Sequence, residues 1–284
     1  RQLTVHVVKL SHPNITFIGA GNMAASIIGG LVARGFNPDA ITASDPFEAS
    51  LQRLASIAPV HTTLDNDAAI SNADVIVLAV KPQVMKQVAQ AISAAVQARK
   101  PLVISIAAGI EINSLDKWLG GELAIVRCMP NTPALVQTGA TALYANAQVT
   151  DEQRQQADQI LKAVGIALWV DDEAQLDAVT AVSGSGPAYF FLVMEAMQAA
   201  GEQLGLAPEL ARQLTLQTAL GSAQMAIDGD VDATELRRRV TSPGGTTHEA
   251  ISTFEENGFR ELFLKALTAA RDRSQSLARE MDAD

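Results

Sequence analysis

Cysteine is nearly missing from this 284-residue chain, where Cys128 stands alone. A single thiol excludes an internal disulfide and any multi-cysteine metal cluster. It suits a reducing cytoplasm, and no metal site is expected. Aromatic residues are scarce too, at 8 Phe, 2 Tyr and 2 Trp, although 48% of the chain is hydrophobic. The core must then be aliphatic side chains and alanine, and such small groups let helices approach closely. Positive charge is short, with 21 Lys plus Arg against 31 Asp plus Glu and a net charge of −10. A chain so acidic is a poor partner for a nucleic-acid duplex or an anionic membrane. A small anion held at a local site is still compatible with it. No apolar run reaches the length expected of a membrane span, and no signal peptide is evident. Residues 1–13 read as an N-terminal extension or a tag remnant.

What is present is a change of pattern near residue 150. From Ile15 to about Val149, short strand-like runs alternate with helical segments. The runs are Ile15–Ile18, Ile41–Ser44, Val75–Val80, Leu102–Ile106 and Ala124–Arg127, and Met23–Arg34 and Pro82–Gln97 read as helices. Apolar strands alternating with helices imply a parallel sheet covered on both faces, and right-handed crossovers make it doubly wound. Thr150 is a good N-cap with Gln153 in the capping-box position. It opens a polar helix, Asp151–Val164, that Gly165 can end, and one more strand follows at Ile166–Val170. Beyond Asp172 the segments Gln175–Leu204, Pro208–Asp228, Ala233–Arg239 and Phe259–Met281 all read as helices. The expected division is an α/β domain over residues 14–170 and an all-helical domain over 171–284. Ala181, Val182, Phe190, Phe191, Val193, Met194 and Met197 are more apolar surface than one narrow stripe holds. This predicts a dimer interface between helical domains.

The first strand runs into Gly19-Ala-Gly-Asn-Met-Ala24, a G-x-G-x-x-A turn that opens a helix. This is the dinucleotide fingerprint of a Rossmann-like domain. Gly19 allows the tight turn, Gly21 lets a pyrophosphate approach the backbone, and Ala24 permits close helix–strand packing. The helix N-terminus offers N–H groups and a positive dipole end, and Asn22 and Met23 begin it. The end of the second strand, Ser44 and Asp45, is placed to meet the adenosine ribose. Two readings stand for Asp45, a ribose ligand favouring NAD or a turn residue before Pro46. Ser44 is able to bond a phosphate instead, and Arg53 is the nearest cation. The third and fourth of those strands end in Ala79-Val80-Lys81-Pro82 and Ala107-Ala108-Gly109. Ligands of open α/β sheets sit at such strand ends. Lys81 either neutralises phosphate or solvates the rim.

Two segments of the helical half are unusual. Ser183-Gly-Ser-Gly-Pro187 interrupts a helical pattern, which calls for a kink or a close contact. Thr241-Ser-Pro-Gly-Gly-Thr-Thr247 precedes a helix read as His248–Glu256. Its successive N–H groups and the hydroxyls of Ser242, Thr246 and Thr247 suit a carboxylate or phosphate, or an ordinary capped turn.

These motifs, with Ser105–Gly109 and Met129-Pro-Asn-Thr-Pro133, together resemble the pyrroline-5-carboxylate reductases, in order from Ile15 to the C-terminus. That resemblance implies reduction of L-1-pyrroline-5-carboxylate to L-proline with NADPH or NADH, the last step of proline biosynthesis. It implies a Rossmann domain followed by a helical dimerisation domain, active sites shared between subunits, and dimers assembled into a decamer in the cytoplasm. It places the substrate carboxylate at Ser242, Gly244, Gly245, Thr246 and Thr247, with Thr247 near the ring nitrogen. Asn66 falls at the adenosine ribose and Lys81 beside the cofactor. Ala107–Gly109 and Pro130–Thr132 fall near the nicotinamide.

The carbon of a C=N bond takes hydride best when its nitrogen is protonated, and no strong acid lies in the substrate motif. The substrate is expected to bind as the iminium or to take a proton from water, with Thr247 orienting the nitrogen. His248 reads as a helix-surface residue and Cys128 as packing. Dehydrogenases of the 6-phosphogluconate-dehydrogenase-like group share the domain order, but Ser183–Glu195 lacks the lysine and asparagine they use. A non-enzymatic nucleotide-binding protein would not need the Ser242–Thr247 segment.

Overall fold

The computed structural model describes residues 12–283, so most of the N-terminal extension lies outside the described residues. The chain forms two compact units. The first comprises the described residues up to Gly184 together with those from Arg271 onward, and the second is Ser185–Ala270.

The first unit is built on an eight-stranded sheet in the order β3-β2-β1-β4-β5-β6-β7-β8. Its strands are β1 (Ile15–Ile18), β2 (Ile41–Ser44), β3 (His61–Thr63), β4 (Val75–Leu78), β5 (Leu102–Ser105), β6 (Ile125–Met129), β7 (Gly139–Ala145) and β8 (Gly165–Trp169). β1 lies between β2 and β4, with Ile15 opposite both Ile41 and Val75. All neighbours are parallel except β6 and β7, where Val126 faces Ala145 and Met129 faces Ala142. The expected parallel sheet is thus corrected at one ladder. The Pro130–Thr138 connection is too short for a crossover helix, so the chain turns back on itself.

Successive strand residues point to opposite faces, and each face has its own core. Phe17, Val77 and Ile104 pack with Ile27, Ile28 and Leu31 of α1 (Asn22–Ala33), Leu54 of α2 (Glu48–Ile57) and Leu161 of α6 (Asp151–Lys162). Ile18, Ile76 and Val103 pack on the other face with Ile70 of α3 (Asn66–Ile70), Met85 and Ile92 of α4 (Pro82–Arg99) and Leu115 of α5 (Ile112–Trp118). This double cover explains why β1, β4 and β5 are apolar at almost every position. The capping box forms as expected, with Thr150 Oγ1 accepting from Gln153 N–H and Gln153 Oε1 from Thr150 N–H. Gly165 does not end that helix; it opens β8. Any Cβ there would lie 1.9 Å from Gly139 O, so the two backbones meet where only glycine fits.

α7 (Gln175–Val179) runs into a π-helical turn, Thr180–Gly184. The interruption expected at Ser183–Pro187 is real, and Gly184 packs so closely that a Cβ would meet Met129 Cε at 2.5 Å. The continuous stretch Gln175–Gln203 is long and apolar enough to cross a membrane by length and composition alone. That corrects the expectation that no such run exists. A helix that buries its apolar faces in protein passes the same test.

The second unit holds α8 (Gly186–Gln203), α9 (Pro208–Asp228), α10 (Ala233–Arg239), α11 (Thr246–Glu256) and the first part of α12 (Phe259–Ala283). Pro208 takes a first-turn position in α9, as its fixed φ favours. α8 and α9 pack where Gly201 meets Ala211 and Leu206. Single-chain packing covers little else: Phe190, Phe191, Leu192 and Leu220 are each more than 60% exposed.

Candidate functional site

In the first unit, the switch in strand order puts a crevice beyond the carboxyl ends of β1 and β4. The glycine-rich turn lies at that edge. Gly19 has φ +102°, and a Cβ on it would lie 2.6 Å from Ala79 O, so the turn requires glycine. Gly19 N–H donates to Ser44 O at 2.7 Å, and Ala79 N–H donates to Ile18 O at 2.8 Å. Gly21 has φ −73° and caps α1 with no side-chain hydrogen bond. A Cβ on Gly21 would meet nothing within 4 Å. The helix therefore begins beside open space, with the free N–H groups of any helix start and no acidic residue in its first turn. Those features fit a dinucleotide's pyrophosphate.

The strand ends beside the turn hold the other residues marked in the sequence. Ser44 is buried and its Oγ donates to Asn66 Oδ1 at 2.5 Å, so Asn66 is oriented by the end of β2. Asp45 is 9% exposed. Its Oδ2 accepts from Ala20 N–H at 2.9 Å and its Oδ1 from Phe47 N–H at 2.8 Å. Ala79 and Val80 are half-buried, and Lys81 is the exposed N-cap of α4, with Pro82 in the first turn. Ala107 is buried, Ala108 exposed, and Gly109 has φ +74°. Gly19–Met23, Ser44, Asp45, Asn66, Ala79–Pro82 and Ala107–Gly109 thus share one sheet edge.

Two features of this unit were not anticipated. Asn131 spends its side chain on backbone, Nδ2 donating to Ser183 O at 3.0 Å and Oδ1 accepting from Ala140 N–H at 2.9 Å. It ties the Met129–Pro133 loop to the π turn, and an asparagine between two prolines was the available signal. Arg127 on β6, almost wholly buried, pairs with Glu173 at 2.9 Å, and the same Glu173 oxygen accepts from Ile112 N–H. Glu111 nearby has its carboxyl pushed above the ordinary value, first by burial and then by the charges of Glu173 and Asp282. Burial alone pushes the Cys128 thiol far up, which makes it packing rather than a nucleophile.

In the second unit, Ser242-Pro-Gly-Gly245 closes a turn with Gly245 N–H donating to Ser242 O at 3.0 Å. Pro243 and Gly244, with φ +69° at Gly244, are the residues such a turn favours. Gly245 is the N-cap of α11 and makes no side-chain cap bond. The helix starts at Thr246 instead of His248, which puts Thr246 and Thr247 in its first turn. Ser242, Gly244, Gly245, Thr246 and Thr247 therefore lie together at the start of one helix, where three hydroxyls and the first-turn N–H groups, apart from the Gly245 N–H bonded to Ser242 O, are chemistry that suits an anion. Thr247 is half-buried and its hydroxyl makes no hydrogen bond among the described residues, while His248 is exposed.

Comparison with known proteins supplies what geometry alone does not. Residues 173–277 match the model for pyrroline-5-carboxylate reductase dimerisation, and residues 14–109 match that for NADP oxidoreductase coenzyme F420-dependent. The chain is 58% identical over 272 residues to a pyrroline-5-carboxylate reductase of Pseudomonas aeruginosa, covering 96% of this chain and 99% of that one. A solved pyrroline-5-carboxylate reductase of Coxiella burnetii superposes with TM-score 0.91 at 48% identity over 94% of this chain and 98% of its own. The Plasmodium falciparum pyrroline carboxylate reductase, solved with NADP bound, gives TM-score 0.81 at 30% identity over 94% and 98% of the two chains.

Proposed function

This chain belongs to the pyrroline-5-carboxylate reductase family, and on that premise we propose which of its residues carry the reaction. It is an NAD(P)H-dependent oxidoreductase that reduces L-1-pyrroline-5-carboxylate to L-proline. Its architecture is a Rossmann-like α/β domain with a helical dimerisation domain, which we assign to residues 14–170 and 171–284. It forms a homo-oligomer.

The observation that carries the assignment of residues is that each unit has a helix start suited to an anion, α1 in the first and α11 in the second. At α1, Gly21, Asn22 and Met23 hold the pyrophosphate with backbone N–H groups, and Gly19, its own N–H spent on Ser44 O, makes the turn that presents them. Asn66, oriented by Ser44, meets the adenosine ribose, and Asp45 fixes the turn beside it. Ala79–Pro82 and Ala107–Gly109 line the nicotinamide side, with Lys81 balancing phosphate charge at the rim. At α11, the hydroxyls of Ser242 and Thr246 and the N–H groups of Gly244 and Thr246 hold the substrate carboxylate, and Gly245, its N–H spent on Ser242 O, closes the turn that presents them. The bound reduced nicotinamide supplies a hydride. The chain's own work is orientation and electrostatics. The free hydroxyl of Thr247 holds the ring nitrogen, and the proton there arrives with the substrate as its iminium or from water.

The exposed apolar faces of α8 and α9 are the surfaces that the partner subunit covers, and the dimers are proposed to assemble into a decamer. A cytoplasmic setting suits the lone free thiol, and the long apolar stretch Gln175–Gln203 is read as part of the subunit interface instead of a membrane span. The assay is incubation with L-1-pyrroline-5-carboxylate and either reduced nicotinamide, with chromatographic detection of L-proline. Proline formed in step with cofactor oxidation is expected, and cofactor binding without proline would remove the substrate assignment.

A further inference from the structure

The end of β2 carries a charge arrangement that bears on which reductant is used. In a Rossmann-like domain, an acidic residue there bonds the ribose 2′-hydroxyl of NAD, whereas a nearby arginine accommodates the 2′-phosphate of NADP. This chain has both, and they flank the same residue. Asp45 takes the N–H of Ala20 on one oxygen and the N–H of Phe47 on the other. Arg53, from the middle of α2, brings Nη2 to 3.4 Å from Ala20 O. Asp45 is nearly buried, while Arg53 is exposed and has no ion-pair partner among the described residues. Arg53 also lines, with Asn22 and Ser26, a groove beside α1. The acid's charge is thus committed to backbone donors, while the cation beside the turn meets only the Ala20 carbonyl and faces no carboxylate among the described residues.

We propose that Arg53 reads the 2′-phosphate of NADPH while Asp45 serves as a backbone clamp on the glycine-rich turn, making NADPH the preferred reductant. The inference rests on the cofactor reading above and adds its discrimination. A guanidinium presents a planar pair of donors to a phosphate and stays charged throughout the working pH range. Ser44, fixed on Asn66, has no charge to offer in its place.

The test is calorimetric titration of the full-length protein with 2′,5′-ADP and with 5′-AMP, which share every group except the 2′-phosphate. Wild-type protein should bind 2′,5′-ADP more tightly. In Arg53→Gln that preference should fall about tenfold or more, as expected for losing a charge-assisted contact, and Arg53→Lys should retain part of it. Asp45→Ala should lower the unfolding temperature of the nucleotide-free protein, because two N–H groups lose their acceptor; a ribose ligand without a clamping role would leave that temperature unchanged. An unchanged preference in Arg53→Gln overturns the proposal. Equal weakening of both nucleotides also overturns it, since Arg53 would then serve the 5′-phosphate. Failure of the folded wild-type protein to bind either nucleotide would overturn the cofactor reading itself, and this proposal with it.

Discussion

Gly19 and Gly21 sit two residues apart, and the structure separates their roles sharply enough to test by one methyl group each. A Cβ at Gly19 meets Ala79 O at 2.6 Å and Ala79 C at 2.8 Å, and its φ of +102° is unfavourable for any L side chain. Backbone atoms do not yield easily, so Gly19→Ala combines about 1–2 kcal/mol of conformational strain with about 1–3 kcal/mol of overpacking. The sum, about 2–5 kcal/mol, corresponds to a fall in unfolding temperature of roughly 4–20 °C for a unit of this size. Gly21 has an ordinary φ of −73° and open space around it. Gly21→Ala therefore costs about 1 kcal/mol or less, as a weaker N-cap. Its effect should fall on the ligand, because the added methyl occupies the approach to the helix N-terminus. Loss of one charge-assisted N–H contact predicts about a tenfold to hundredfold weaker NADPH affinity. Thermal unfolding without cofactor and fluorescence titration with NADPH read the two effects separately. Gly19→Ala melting with the wild type, or Gly21→Ala binding NADPH with unchanged affinity, would refute the assignment of fold to one glycine and function to the other.

Thr247→Ala should lower kcat by about tenfold or more while NADPH affinity moves far less, because one oriented hydrogen-bonding group is lost at the substrate; equal activity in that variant would exclude the role. Glu173→Ala leaves the Arg127 charge buried without its partner and should destabilise the first unit by about 3 kcal/mol, measured by urea unfolding; an unchanged midpoint would show that the pair is immaterial. Glu111 has a raised carboxyl pKa, so the fold binds its proton more tightly than the unfolded chain does. Its ionisation therefore removes stability as pH rises from the unfolded value of about 4.5. Glu111→Gln should raise the unfolding temperature at neutral pH, and the gain should vanish in acid where the wild-type carboxyl is protonated. A gain of equal size at both pH values would contradict the electrostatic cause.

The elements read correctly from sequence are those whose signals are local. The strand, glycine turn and helix over residues 15–33 follow from a short apolar run, a forced positive φ and a small residue for packing. The Thr150 capping box and the prolines opening α4 and α9 are local in the same way. β7 escaped notice because Gly139-Ala-Thr-Ala-Leu-Tyr-Ala145 is rich in residues with little strand preference, and its place between β6 and β8 is what makes it a strand. β3 is three polar residues at a sheet edge, too short to show a period. α11 starts two residues early because Gly245, not a side chain, is its N-cap. At the candidate site, the glycines, strand ends and hydroxyl turn were legible because their chemistry is written in consecutive residues. The clamp of Asp45 on Ala20, the tie from Asn131 to Ser183 and the Arg127–Glu173 pair join residues 25, 52 and 46 positions apart, and no linear pattern announces them.

Hydride delivery to the C=N carbon can be followed atom by atom. Protein, L-1-pyrroline-5-carboxylate and NADPH carrying deuterium on the transferred position should yield L-proline labelled at the ring carbon beside nitrogen that does not bear the carboxylate. Proton magnetic resonance distinguishes that carbon from the α-carbon. Label at that carbon, in step with NADPH oxidation, is the expected result. Proline without label, or oxidised cofactor without proline, would contradict hydride transfer to this imine and with it the assignment of the two anion-seeking helix starts to cofactor and substrate.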